Sequence, residues 1–187
     1  FYLFTLPVWQ LVSGWLTTVS VIIMAAAVAF AALGGGTRLL EGRRRPQPAD
    51  HLLRGVCAAF AVVLLAFALR TYLGRYALLY EEHRIFSGIT YVDANVTVTG
   101  LLIVAILLVI GAAIAAAGAV ARPQLTTLGA AVAPAALGYL VVSAAGWYVA
   151  SFIVRPNELV RESPYIAHNI ELTRRALTLD PDNVSAR

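Results

Sequence analysis

The side chains suited to chemistry are few and scattered in this sequence. Glu81, Glu82, His83 and Asp93 carry metal-ligating groups within one polar stretch, but no two of them hold a recognised ligand spacing. A solvated loop explains these groups better than a metal site does. We therefore expect no bound metal ion.

Patterns of known catalytic sites are also missing from the sequence. It contains no G-x-S-x-G, no H-E-x-x-H and no Cys-His arrangement, and His51 and His168 stand alone. The three glycines at 34–36 are not followed by Lys and Ser or Thr at the spacing of a phosphate loop. Cys57 lies in an apolar run, as a small buried hydrophobe would. We expect no enzymatic activity and no cofactor.

The composition explains why chemistry is so sparse. Hydrophobic residues make up 60% of the chain and charged residues 13%, and the mean hydropathy is +0.78, whereas a soluble domain carries about 25% charged residues. All 14 basic residues are arginine. This bias, with abundant Ala, Gly and Val, is typical of a GC-rich bacterial coding sequence. The chain is expected to lie in a bacterial membrane.

Four apolar segments are long enough to cross a hydrocarbon core of about 30 Å. We predict an all-α, polytopic transmembrane helical bundle with spans at 15–33, 55–73, 100–120 and 128–154. An aromatic interfacial segment at 1–14 should precede them, and 155–187 should begin an extracytoplasmic region with an interfacial or extracytoplasmic helix. We expect the glycines at 34–36 to end the first helix. Residues 81–100 should form an ordered outer loop.

The interiors of these spans carry no acid, His or Arg. An ionisable side chain is costly in the membrane, so it is usually found there only where function requires it. A transporter or proton relay usually has such a group. Arg54 and Arg70 stand near the two ends of the second span, where their long side chains reach the headgroups. The pattern therefore favours an anchor over a transporter.

Small residues indicate where the spans pack closely. Glycine and alanine at four-residue spacing let helix backbones approach each other, and Pro134 predicts a kink in the fourth span. The candidates for helix packing are Gly111, Ala115, Gly118, Gly138 and Gly146.

Arginines in the first loop predict the orientation. Arg43, Arg44 and Arg45 should anchor this loop on the cytoplasmic side and contact membrane lipids. The loop at 81–100 and the C-terminal segment then lie outside. Three arginines without interleaved aromatic residues are a poor nucleic-acid footprint, so we expect no nucleic-acid partner.

The last span passes abruptly into a charged segment. Trp147, Tyr148 and Phe152 should form an aromatic belt, and Pro156 should stop the helix. Ser163 and Pro164 read as the N-cap and first residue of a new helix. Its docking face would include Ile166 and Ile170, with a Glu171–Arg175 pair elsewhere. The hinge and interaction candidates are Arg155, Pro156, Asn157, Glu158, Ser163, Pro164, Tyr165, Ile166, Asn169, Ile170 and Arg174.

Three stretches resemble signatures of a bacterial membrane family, the uncharacterised protein family 0182. They are FYLFTLPVW at 1–9, SGITYVDANV at 87–96 and VRPNELVRESPYIAHNIELTRRAL at 154–177. Where members carry an aromatic residue after the Thr-Arg pair, this chain has Arg175, Ala176 and Leu177, a minor departure. The resemblance implies about seven transmembrane helices and a large external region, of which this chain would hold the last four spans and the start of that region. It supplies no catalytic residues.

Two functions remain open. One is a non-enzymatic scaffold or anchor subunit of a cell-envelope complex in the bacterial inner membrane, which positions an external domain and binds partner membrane proteins as an oligomer or hetero-complex. The resemblance implies a candidate partner, a membrane-anchored protease with a peptide-binding module encoded beside some actinobacterial relatives. The alternative is a subunit of a transporter or channel for an envelope component.

Overall fold

The computed structural model describes residues 4–40, 48–78, 90–121 and 124–177. Within these ranges the fold is all-α and contains no strand, as the sequence predicts. The five α-helices of the described chain are α1 (Thr5–Leu40), α2 (Pro48–Ala77), α3 (Val98–Val120), α4 (Leu125–Tyr148) and α5 (Glu158–Ala176). Two π-helical segments, Asp93–Thr97 and Val149–Val154, and a 3₁₀ turn, Arg155–Asn157, join directly onto them.

Four helical stretches of the described chain are long and apolar enough to cross a membrane. They run over Thr5–Leu33, His51–Ala77, Asp93–Val120 and Leu125–Val154. A helix satisfies all its backbone polar groups internally, so it is a structure that can span lipid. The predicted fold class and its number of spans, four, are confirmed, and the chain is a helical membrane protein.

The first helix is longer than the sequence suggests at both ends. It begins at Thr5, so most of the predicted interfacial segment is helical and continuous with the span. Pro7 is tolerated in this first turn because its missing N–H would have no helical partner there. The prediction that the glycines at 34–36 end the helix is wrong, since α1 continues to Leu40. A glycine costs about 1 kcal/mol relative to alanine but keeps its N–H and C=O, so helical hydrogen bonding can continue.

One narrow face of α1 is protected from solvent. Its members follow alternating spacings of three and four residues, which is the geometry of a left-handed helix–helix seam. The seam contains buried Leu6, Ser13, Thr17 and Ser20 and half-buried Gln10, Met24, Ala27 and Ala31. Its hydroxyl groups bond back to α1, with Thr17 Oγ1 donating to the Ser13 carbonyl at 2.7 Å and Ser20 Oγ to the Thr17 carbonyl at 2.8 Å. This back-bonding offsets the cost of burying these polar groups.

The chain packs as two compact units, residues 1–75 with 100–141 and residues 76–99 with 142–187. In the first unit, a core of very small side chains joins α2, α3 and the first part of α4. Its buried members are Ala61, Leu64, Ala112, Ala115 and Ala131, and Phe60, Leu108 and Ile114 pack against them. Four of the five buried residues are alanine, so the helix backbones lie close together.

Candidate interaction site at the end of the fourth span

The fourth span, whose last part lies in the second unit, continues into the charged segment without leaving helical geometry. Every residue from Leu125 to Ala176 belongs to an α, π or 3₁₀ turn. The Arg155 N–H donates to the Ala150 carbonyl, five residues back, and so continues the wide π turn up to the proline. The prediction that Pro156 stops the helix is wrong. A proline ring clashes with the carbonyl four residues before it, and a wider turn accommodates the chain at that point.

The start of α5 also differs from the sequence prediction, because the chain is already helical before it reaches Ser163. The helix begins at Glu158, so Ser163 and Pro164 lie inside it rather than at its N-terminus. A capping side chain is needed where the first N–H groups of a helix lack partners. Here the chain enters α5 from preceding helical turns, so Ser163 does not mark the N-cap.

The other predicted hinge residues lie mostly on the surface of α5 and the turn before it. Arg155, Pro156, Ser163, Pro164 and Arg174 are exposed. Ile166 is half-buried and Ile170 is 50% exposed, so the proposed docking face is only partly covered. The Glu171–Arg175 ion pair is confirmed. The side chains of four candidates lie outside the described residues: Asn157, Glu158, Tyr165 and Asn169.

Aromatic rings cluster at the end of the fourth span. The Phe152 ring lies edge-on to Trp147, with ring centroids 5.9 Å apart, and beside Tyr148 at 5.2 Å. All three side chains are exposed. Tyr and Trp rings favour the headgroup region because they combine an apolar body with a polar group. The cluster is therefore suited to the interface between membrane and water.

The third span begins with a reciprocal cap that sequence reasoning missed. Asp93 Oδ2 accepts hydrogen bonds from Thr90 Oγ1 at 2.7 Å and from the Thr90 N–H at 3.3 Å, while the Asp93 N–H donates to Thr90 Oγ1 at 3.3 Å. This is a capping box, and the T-x-x-D spacing in TYVD was its signal. The cap starts a helix at Tyr91, so the prediction of a loop over 81–100 is wrong from that residue onward.

Asp93 is buried, and these hydrogen bonds give its carboxylate a structural role. Among the described residues, no three His, Cys, Asp or Glu side chains come together as a metal site. Glu81, Glu82 and His83 lie outside the described residues, as do the cytoplasmic anchor candidates Arg43, Arg44 and Arg45.

The glycines proposed for helix packing have different surroundings. A Cβ atom built on Gly111 would lie 2.2 Å from the Ala131 carbonyl oxygen, a backbone atom of α4. On Gly118 it would lie 2.5 Å from Thr127 Cγ2, and on Gly138 it would lie 2.4 Å from Leu107 Cδ1.

The two remaining packing candidates differ from these three. Ala115 is fully buried in the core. The position of a Cβ atom on Gly146 is 4.0 Å from Val92 Cγ1, an ordinary contact within the second unit. The close α3–α4 approach therefore rests on Gly111, Gly118 and Gly138.

These helices define a polytopic helical membrane protein with a charged helix continuing from its last span. The chain matches the uncharacterised protein family UPF0182 over residues 1–187, and it belongs to that family. It is 33% identical to a UPF0182 protein of Rhodococcus jostii, covering 98% of this chain and 19% of the relative. It is 36% identical to a UPF0182 protein of Solibacter usitatus, covering 96% of this chain and 20% of the relative. It is 31% identical to one of Synechocystis, covering 96% of this chain and 19% of the relative. The chain thus spans about a fifth of the length of these relatives. No solved structure matches it.

Proposed function

We propose that this chain is the membrane part of a non-enzymatic scaffold in the bacterial cell envelope. In this role its spans anchor the protein in the cytoplasmic membrane, and the segment after the fourth span positions an extracytoplasmic region that binds partner membrane proteins. The observation that carries the proposal is the unbroken helical path from Leu125 to Ala176.

A helical connection supports an anchoring role because it transmits orientation. A Gly- or Ser-rich linker would let an attached domain rotate freely, whereas a helix fixes both distance and direction along its axis. From residue 142 onward this path lies in one compact unit. The side chains along α5 are largely charged or polar, as expected for a segment beside water.

The chemistry of the spans agrees with this proposal. Among the described residues, the charged side chains and histidines in or next to the spans stand toward the span ends: His51, Arg54, Arg70, Arg75, Asp93 and Arg155. The contacts around Gly111 and Gly138 give the spans a closely packed interior. A scaffold needs a rigid base of this kind, while a transport path usually needs an ionisable group within the membrane.

The test replaces the turn between the fourth span and α5 in the full-length protein. Arg155-Pro156-Asn157 is changed to Gly-Ser-Gly, which breaks the helical path, or to Ala-Ala-Ala, which removes the same side chains and favours a helix. We expect Gly-Ser-Gly to raise the protease sensitivity of the external region on spheroplasts and to lower the yield of co-purified membrane proteins. Ala-Ala-Ala should retain both properties.

Equal digestion and equal partner yield in the wild type and both variants would reject the scaffold role. That result would favour a transporter or channel whose path lies within the spans.

The orientation of the proposed scaffold has its own test. Cysteines are placed singly at Gln47 and Ser87 of the full-length protein, in a background in which Cys57 and any cysteine outside this chain are replaced by Ala. On intact cells, a membrane-impermeant thiol reagent should label position 87 and not position 47, because the arginine-rich loop is proposed to be cytoplasmic. Labelling at position 47 alone would show that the topology is the opposite of the one proposed.

A further inference from the structure

An apolar groove runs between α2 and α3 in the first unit. It has a volume of about 500 Å³, within the range of small-molecule sites. Its floor includes Ala68 and Ala105, which are both buried. Its walls include larger, half-exposed side chains such as Leu65, Ile106 and Val109. Short side chains below long ones make the groove concave, unlike a flat lipid-facing surface.

A basic residue stands one helical turn beyond this groove. Leu65, Ala68 and Tyr72 line it from α2 at spacings of three and four, and Arg75 continues the same stripe. The Arg75 guanidinium carbon lies 5.6 Å from the centroid of the Tyr72 ring, within the range of a cation–π contact. Arg75 Nε is buried and has no hydrogen-bond partner among the described residues. A buried donor of this kind gains free energy when an acceptor reaches it.

We propose that this groove binds an anionic phospholipid of the surrounding bilayer. One acyl chain lies in the groove between α2 and α3, and the phosphate accepts hydrogen bonds from Arg75. The site thus combines apolar burial for the chain with a fixed cation for the headgroup. The guanidinium group suits a phosphate because it donates several hydrogen bonds in one plane.

The length and position of the groove fit one leaflet. Its lining on α3 extends from Leu102 to Ile110, a distance of about 12 Å at 1.5 Å per residue. Half of a hydrocarbon core of about 30 Å is about 15 Å. The groove starts near the end of the spans that carries Arg75 and extends inward. A chain in it would therefore have its headgroup at the level of the arginine.

The experiment measures lipid binding to the full-length protein in mild detergent by native mass spectrometry. The probes are palmitoyl-oleoyl phosphatidylglycerol, which is anionic, and palmitoyl-oleoyl phosphatidylcholine, which has the same chains and no net charge. Arg75→Gln removes the proposed phosphate ligand. Arg70→Gln is the matched control, since it removes the same charge from an exposed residue of α2 that does not line the groove.

We expect Arg75→Gln to weaken phosphatidylglycerol binding about tenfold, as for a lost charge-assisted hydrogen bond, with less effect on phosphatidylcholine. Arg70→Gln should change neither by more than about twofold, as for an exposed charge. Val109→Phe fills the groove from its half-exposed wall and should weaken the binding of both lipids. If the two arginine variants weaken phosphatidylglycerol binding equally, the protein binds only non-specific annular lipid. That result would overturn the proposal.

A photo-crosslinking amino acid at Val109 identifies the occupant directly. In native membranes we expect adducts with phospholipid. Crosslinks to a second copy, or to another segment of the same protein, would assign the groove to a helix and would also overturn the proposal. This measurement does not depend on the stability of the arginine variants.

Discussion

The α3–α4 contact and the segment that follows the fourth span are stabilised by different physics. Around Gly111 and Gly138 the two helices approach so closely that a single methyl group would clash with a neighbouring backbone or side chain. Along the second π segment, the 3₁₀ turn and α5, exposed aromatic and charged side chains surround a path maintained by backbone hydrogen bonds.

This difference follows from the solvent of each region. Apolar side chains gain little by leaving lipid for a protein interior, so helices in a bilayer depend on close van der Waals packing. Beside water, ion pairs are screened and contribute little. We therefore expect the α3–α4 contact to be sensitive to one methyl group, and α5 to tolerate most single substitutions.

The largest effect should come from Gly111→Ala. In an ordinary helix this change stabilises by about 0.5–1 kcal/mol, but here the new methyl group meets a backbone carbonyl that cannot rotate away. We expect the free energy of unfolding to fall by about 1–3 kcal/mol, measured by thermal unfolding in detergent. Gly129→Ala is the control, since nothing lies within 4 Å of its Cβ position, and it should be neutral or stabilising. A stable Gly111→Ala variant would contradict the close approach.

At Gly118 we expect a smaller loss of stability, which a second substitution should restore. There the new methyl group would meet Thr127 Cγ2, the end of a side chain, rather than backbone. We expect Gly118→Ala to cost about 1 kcal/mol, the lower end of overpacking penalties. Thr127→Ser removes the obstructing methyl group and should restore stability in the double variant. A double-mutant cycle measures this coupling, and strict additivity would show that the two residues do not clash.

The two possible helix caps provide the next comparison. Thr90→Ala should cost about 1 kcal/mol because it breaks a capping box. Ser163→Ala should be neutral or slightly stabilising, since Ser163 lies inside α5 and alanine is the better helix former. Hydrogen exchange at the first turns of both helices measures the two changes. A larger effect at Ser163 than at Thr90 would restore Ser163 as the start of its helix.

The smallest effect should come from the Glu171–Arg175 pair. Both side chains are more than half exposed, so solvent screens their attraction. We expect Glu171→Gln to cost no more than about 0.5 kcal/mol, and the cost should disappear at high salt. A loss above 1 kcal/mol would mean that this face of α5 is covered in the full-length protein.

Some features follow from local sequence alone. The number of spans and their approximate limits could be predicted because a bilayer requires about 20 apolar residues per helix. The back-bonding of Thr17 and Ser20 and the Glu171–Arg175 pair could also be predicted, since each depends on residues three or four apart on one helix.

The ends of the helices and their contacts required the tertiary structure. Pro156 and Ser163 carry the local signals of a helix end and a helix start, yet the chain passes both in helical geometry. Gly111 and Gly146 look alike in sequence, but an added Cβ atom would lie 2.2 Å from a backbone oxygen at Gly111 and 4.0 Å from a side chain at Gly146. An apolar run shows that a helix enters lipid. It does not show which face meets a neighbour, because contacts between helices, including the groove beside Ala68 and Ala105, depend on residues distant in sequence.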